Sequence, residues 1–136
     1  MAVEGIFSSV DISMSGLKTQ GKVMELISSN VANARTTDAG NGEPYRRLEA
    51  RLQTADDDEL ISGVSIEDVI KDSSQYKLVF NPGSPAADSN GYVKMPNVDV
   101  PIEMMNLAMA TRSYQANAAT LKRYQKMVET SLELLR

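Results

Sequence analysis

The sequence predicts a mainly α-helical chain: a long N-terminal and a long C-terminal heptad helix form an antiparallel coiled-coil-like pair, with a small β-rich insertion between them. Three observations predict it. All five prolines (Pro44, Pro82, Pro85, Pro96 and Pro101) lie in the middle or at its exit, so both ends are free of helix breakers. Apolar residues recur at alternating steps of three and four at each end, which is the seam of a coiled coil. The acidic excess belongs to the middle: residues 35–98 carry seven basic and eleven acidic side chains, residues 1–34 two and three, and residues 99–136 five and four. Near-neutral ends suit helix packing, and an acidic middle suits solvent.

In the N-terminal segment, Val3, Phe7, Val10, Met14, Leu17, Met24 and Val31 follow the heptad spacing, with Gly21 and Ser28 on the remaining seam positions. Small seam residues let another helix approach closely. Gly16 and Gly21 each cost about 1 kcal/mol relative to alanine in a helix interior, so this helix is marginal alone. Asn30, Asn33, Thr36, Thr37, Gly40 and Gly42 end it.

The pattern then changes to short strands. Leu48, Ala50 and Leu52 alternate with Glu49 and Arg51, Val64 and Ile66 flank Ser65, and Tyr76 to Phe80 forms a brief apolar run. Asn81-Pro82-Gly83, Asn90-Gly91 and Pro96-Asn97 are turn signals, and residues 55–59 read as a solvated acidic loop. The insertion therefore spans residues 35–98 and has little core of its own.

From Ile102 to Arg136 there is neither glycine nor proline. Leu107, Ala110, Tyr114, Leu121, Tyr124, Val128 and Leu135 form the seam, and Asn117 and Ser131 fall on it as polar residues able to specify register. Asp99 before Pro101 supplies the helix start, an acceptor side chain followed by a residue whose missing N–H costs nothing in the first turn. At 1.5 Å per residue the helix is about 50 Å long. Residues 1–34 and 99–136 are thus read as one helical assembly domain. Val10, Met14, Leu17, Met24, Val31, Leu107, Tyr114, Leu121, Tyr124, Val128 and Leu135 are its expected interface.

Composition removes several classes of function. With Cys 0 and His 0, the 136-residue chain has no disulfides, thiol nucleophiles or imidazole bases. A net charge of −4 opposes a nucleic-acid partner. The longest apolar run, Leu107 to Ala110, is far short of the roughly 20 residues needed to cross a bilayer, so no direct membrane insertion is expected. Glu4 stands where a signal peptide would be basic, which argues against a cleaved leader.

The short motifs do not restore those functions. Residues 16–23 match G-x-x-x-x-G-K, but Val23 replaces the hydroxyl that would hold magnesium and the heptad register runs straight through. Ser15-Gly16-Leu17-Lys18 matches S-x-x-K without its companion elements. Asp56-Asp57-Asp58-Glu59 lacks the alternating ligands and glycine of a calcium loop. Lys122, Arg123 and Lys126 make a basic patch too small for membrane-surface binding. The sequence offers no catalytic residue, no metal ligand set and no cofactor.

Ile27-Ser28-Ser29-Asn30-Val31-Ala32-Asn33-Ala34-Arg35-Thr36-Thr37 resembles the asparagine-rich motif that follows the N-terminal helix of bacterial flagellar axial proteins. Pro96-Asn97-Val98-Asp99-Val100-Pro101-Ile102-Glu103-Met104-Met105, continuing to Ala110-Thr111-Arg112-Ser113-Tyr114-Gln115-Ala116-Asn117, resembles the C-terminal signature of that family. Asn30, Asn33, Asn97, Tyr114, Gln115 and Asn117 are the motif residues carried over. Within the family, Glu43-Pro44-Tyr45-Arg46-Arg47, Asn81-Pro82-Gly83-Ser84-Pro85 and Asp88-Ser89-Asn90-Gly91-Tyr92-Val93 are similar to the rod proteins. The resemblance implies a structural subunit of the proximal rod, exported by the flagellar type III apparatus and built into a helical tube across the periplasm with further copies and other rod subunits. Another rod subunit of the family, or a non-flagellar coiled-coil adaptor, is the alternative.

Overall fold

A computed structural model describes residues 2–54 and 63–135, with side-chain environments from residue 9 onward. The expected acidic loop at residues 55–59 lies outside the described residues. In chain order the elements are α1 (Ala2–Ala32), β1 (Leu48–Thr54), β2 (Val64–Lys71), β3 (Lys77–Phe80), β4 (Tyr92–Met95) and α2 (Val100–Leu134). The mainly helical architecture with a small β insertion is the one expected from the sequence.

The helices begin and end where capping chemistry allows. Asn33 closes α1: its backbone N–H and its side-chain Nδ2 both donate to the Ser29 carbonyl, at 3.0 and 2.9 Å. Its Oδ1 accepts from the Thr36 hydroxyl at 3.2 Å. At the start of α2, Asp99 Oδ1 accepts from the Ile102 N–H at 3.4 Å, with Pro101 in the first turn. Residues 16–23, the phosphate-loop lookalike, lie within α1, so their N–H groups are committed to the helix and form no loop around a phosphate.

Contacts between the helices step up α1 as they step down α2. Asn30 reaches Glu103, Met24 Sδ accepts the Thr111 hydroxyl at 3.6 Å, and a Cβ on Gly16 would stand 2.5 Å from Asn117 Nδ2. Asn117, a polar position of the expected C-terminal seam, occupies the space that the missing Cβ leaves at Gly16, which lies off the expected N-terminal seam, whereas a Cβ at the seam residue Gly21 would meet nothing within 4 Å.

Each sheet is an antiparallel pair, β1 with β2 and β3 with β4. A bulge between Arg51 and Leu52 shifts the first register, so Arg51 faces Asp68 while Leu52 faces Ile66. The first hairpin lies along α1, held where Val64 donates its N–H to Ser15 Oγ and accepts from the Thr19 hydroxyl, both at 3.1 Å. Strand β2 runs well beyond the Val64–Ile66 alternation, and β4 was not among the expected strands. At four residues between Gly91 and Pro96, β4 is too short to show a period, and pairing with β3 defines it. Gly91 closes that second hairpin with φ +80, where a Cβ would also come within 3.0 Å of the Phe80 ring.

Among the described residues the buried apolar set is small: Leu26, Ile27, Val93, Val98 and Ala110. Ser13, Thr19, Asn30, Asn97 and Glu103 are equally buried, so hydrogen bonds define this core as much as apolar packing does. Among the described residues, no helix is long and apolar enough to cross a membrane.

Candidate assembly site

Both motifs converge on one buried polar cluster where the end of α1, the start of β1 and the first turn of α2 meet. Asn30 lies at its centre and uses its whole amide. Its Nδ2 donates to the Leu48 carbonyl at 2.9 Å and to Glu103 Oε2 at 3.0 Å. Its Oδ1 accepts from the Leu48 N–H at 2.8 Å and the Tyr45 hydroxyl at 3.0 Å. One side chain thereby mimics a strand neighbour for β1 and ties that strand to both helices.

Glu103 is 1% exposed, and its second oxygen accepts from Arg47 Nε at 2.6 Å. A buried carboxylate is tolerable because each oxygen has a donor, one of them cationic. Asn97 continues the cluster: its Oδ1 accepts from the Arg47 N–H at 2.9 Å, and its Nδ2 donates to the Asp72 carbonyl at 3.1 Å and Ser74 Oγ at 2.9 Å. Arg46 donates to the Asp72 carbonyl at 3.2 Å and lies 4.3 Å from the centre of the Tyr76 ring. Among the described residues, no buried side-chain nitrogen or oxygen lacks a partner.

Electrostatics follow this geometry. Burial alone would lower the Arg47 pKa, but the hydrogen bond and charge of Glu103, with the charges of Glu49 and Asp72, outweigh it and raise the pKa above the ordinary arginine value. Hydrogen bonds from the Ser74 N–H and side chain hold the Asp72 carboxyl below its usual range, with smaller help from Arg47 and Arg46. No group of three or more potential metal ligands occurs among the described residues.

The expected interface residues fall into three groups. Val10, Met14, Leu17, Leu121 and Tyr124 line one apolar groove of about 470 Å³ between α1 and α2, remote from the polar cluster. Met24, Val31 and Leu107 are half-buried nearer the cluster. Tyr114 and Val128 are exposed, Met14 is 56% exposed and Leu135 84%. Of the motif residues, Asn30 and Asn97 enter the cluster, Asn33 closes α1, Asn117 faces Gly16, and Tyr114 and Gln115 face solvent.

Sequence reasoning assigned no role to Tyr45, Arg47 or Glu103. The available signal was Glu103, a lone acid among Ile102, Met104 and Met105 near a helix start, where an acid ordinarily compensates the helix dipole from the surface. Only the fold brings Arg47, 56 positions away, against it.

Two long helices, a polar clamp joining them to a small β appendage, and apolar seam positions left open define a helical structural subunit. The comparisons agree. Residues 89–134 match the family model described as flagellar basal body rod FlgEFG protein C-terminal. Over 135 residues, 98% of each chain, this chain is 43% identical to the flagellar basal-body rod protein FlgC of Salmonella typhimurium. It is 36% identical to the Bacillus subtilis FlgC over 94% of this chain and 97% of that one, and 31% identical to the Borreliella burgdorferi FlgC over 96% and 98%. The chain belongs to the FlgC family of flagellar basal-body rod proteins.

Proposed function

We propose that this chain is a structural subunit of the proximal rod of the flagellar basal body. In this reading it leaves the cell body through the flagellar type III export apparatus. It then polymerises with further copies and other rod subunits, and the rod carries torque across the periplasm. Residues 1–34 and 99–136 act as the assembly domain, the two helices of the chain forming an antiparallel coiled-coil-like pair that packs against neighbours, while residues 35–98 form the outward insertion.

The observation that carries the reading is the open seam. Met14, Tyr114, Val128 and Leu135 occupy heptad positions yet remain exposed in the single chain, which leaves apolar side chains on both helices for neighbours to cover. A thin core in the monomer fits a protein whose helices are covered by neighbours.

Leu121→Asp tests it. Leu121 lines the groove with Val10, Met14, Leu17 and Tyr124, so the substitution forfeits about 1.5–3 kcal/mol of apolar burial and adds a carboxylate to an apolar site. In cells carrying only the variant, the protein is expected in the secreted fraction and absent from purified basal bodies. An unfolded chain in transit has no seam to disturb. Normal incorporation and swimming would refute the assignment of this groove to assembly.

A further inference from the structure

Asn41 and Asn90 are the asparagines that glycine follows. In such a pair the side-chain amide can react with the next backbone nitrogen, because no Cβ shields that nitrogen. The fold gives the two pairs different surroundings.

Asn41-Gly42 lies in the exposed loop between α1 and β1, which Ala39 closes by donating its N–H to the Glu43 carbonyl at 2.9 Å. Gly40 and Gly42 hold φ +96 and +77, and their N–H groups both donate to Asp38 Oδ1, at 2.8 and 3.0 Å. Asn41 Oδ1 accepts from the Glu43 N–H at 3.1 Å. A side chain that reaches the N–H two residues ahead arches over the nitrogen between them, which sets Asn41 Cγ beside Gly42 N. The loop thus places a carboxylate on the attacking N–H and a donor on the carbonyl oxygen that gains charge. Hydrogen bonds from Gly40 and then Gly42 hold the Asp38 carboxyl below its ordinary range, so at neutral pH it is ionised and able to accept a proton.

Asn90-Gly91 has neither group. The Gly91 N–H donates to the main-chain carbonyl of Asp88 at 3.0 Å, and its own carbonyl accepts from the Asn81 N–H at 2.9 Å, so the glycine is fixed from both sides. A peptide carbonyl takes up no proton at neutral pH. The Asp88 carboxylate is turned instead to the N–H groups of Asn90 and Tyr92, at 2.8 and 2.9 Å. Among the described residues nothing donates to Asn90 Oδ1.

We infer that Asn41 is a site of spontaneous deamidation, promoted in the folded chain by the Asp38 carboxylate and the Glu43 N–H and preferred over Asn90. The Gly42 N–H proton passes to Asp38 Oδ1 as the nitrogen bonds to Asn41 Cγ. The Cγ–Nδ2 bond then breaks, and Nδ2 leaves as ammonia with that proton, closing a succinimide ring. Water opens the ring to aspartate or isoaspartate and is the only co-reactant. Each reacted copy gains one negative charge at a cavity of about 460 Å³ lined by Asp38, Gly42, Asp88 and Lys94. The reaction lies outside the assembly helices and goes beyond the rod-subunit reading, on which it does not depend.

The purified full chain, incubated at neutral pH and digested at acid pH at intervals, tests this by mass spectrometry of the two Asn-Gly peptides. Asn41 should gain the mass of an amide-to-acid conversion severalfold faster than Asn90, and faster in the folded chain than in urea, whereas Asn90 should be slower folded than in urea. Asp38→Asn keeps an acceptor in the loop but removes the base. It should slow Asn41 severalfold and leave Asn90 unchanged; a variant loop that had merely opened would instead bring Asn41 to its rate in urea. Equal rates at Asn41 and Asn90 in the folded chain, an Asn41 rate that rises in urea, or an Asp38→Asn chain that converts Asn41 at least as fast as wild type would each overturn the inference.

Discussion

Glu103→Gln preserves side-chain volume at a position 1% exposed and changes only what the two terminal atoms can do. The carboxylate accepts from Arg47 Nε at 2.6 Å and Asn30 Nδ2 at 3.0 Å. A glutamine amide carries one acceptor and one donor group, so in either orientation its NH2 confronts an N–H. Asn30 cannot turn to help, because its Oδ1 already serves the Leu48 N–H and the Tyr45 hydroxyl while its Nδ2 also holds the Leu48 carbonyl.

Losing a charge-assisted hydrogen bond costs about 1.5–3 kcal/mol, and stranding a buried donor costs about 1–3 kcal/mol more. Relief from burying a carboxylate offsets part of this, since the pair itself bears a desolvation penalty. The expected net destabilisation is about 3 kcal/mol, a large share of the roughly 5–15 kcal/mol of a typical domain. Urea unfolding of the purified chain, followed by circular dichroism, should show the midpoint falling with an unchanged slope. Replacing both partners, as Arg47→Met with Glu103→Met, should cost less than Arg47→Met alone, which leaves a buried carboxylate without its cation. If Glu103→Gln is within about 0.5 kcal/mol of wild type, the clamp does not hold the fold together.

Other substitutions separate the remaining features. Gly21→Ala meets nothing within 4 Å and should raise the thermal midpoint through a gain of up to about 1 kcal/mol in helix propensity, whereas Gly16→Ala must displace Asn117 and should gain less. Lys22→Ala should leave stability within about 0.5 kcal/mol and the chain without ATP affinity, because Lys22 is a half-exposed helix residue paired to Glu25 at 2.9 Å; ATP binding that disappears in the variant, measured by calorimetry, would reverse this. Since the folded Asp72 pKa lies below the ordinary carboxylate value of 3.8, its stabilisation is fully present above that value and is lost as pH falls through the folded pKa. Acid unfolding curves for Asp72→Asn should therefore show a shallower loss of stability below about pH 4 than wild type.

Both helices were legible because their signals are local. A heptad, a capping aspartate before proline and a glycine-poor C-terminal segment state the helices without reference to anything distant, and α2 begins at Val100, directly after the expected Asp99 cap. Strand β4 was not legible, since Tyr92–Met95 becomes a strand only against Lys77–Phe80. The same limit applies to the clamp. The sequence marked Asn30 and Asn97 through the motifs that contain them, but a motif does not say which atoms meet. Glu103 and Arg47 carry opposite charges in separate motifs, and their pairing is a property of the fold.

The clamp and the open seam differ in what they need in order to form. Asn30, Arg47, Asn97 and Glu103 satisfy one another within a single chain, so the junction of α1, β1 and α2 is fixed whatever the protein concentration. Its partners are directional, which makes it suited to setting the angle at which the insertion leaves the helices. Apolar seams have no such directionality, and Val128, Leu132 and Leu135 are exposed in the single chain. Stability drawn from them rises with the concentration of neighbours. In the proposed rod, a subunit can therefore arrive with its junction formed and its seam open, and polymerisation can supply the burial that the small apolar core of the described residues does not. Strengthening the seam within the monomer would remove the surface on which assembly depends, whereas strengthening the clamp would leave that surface unchanged.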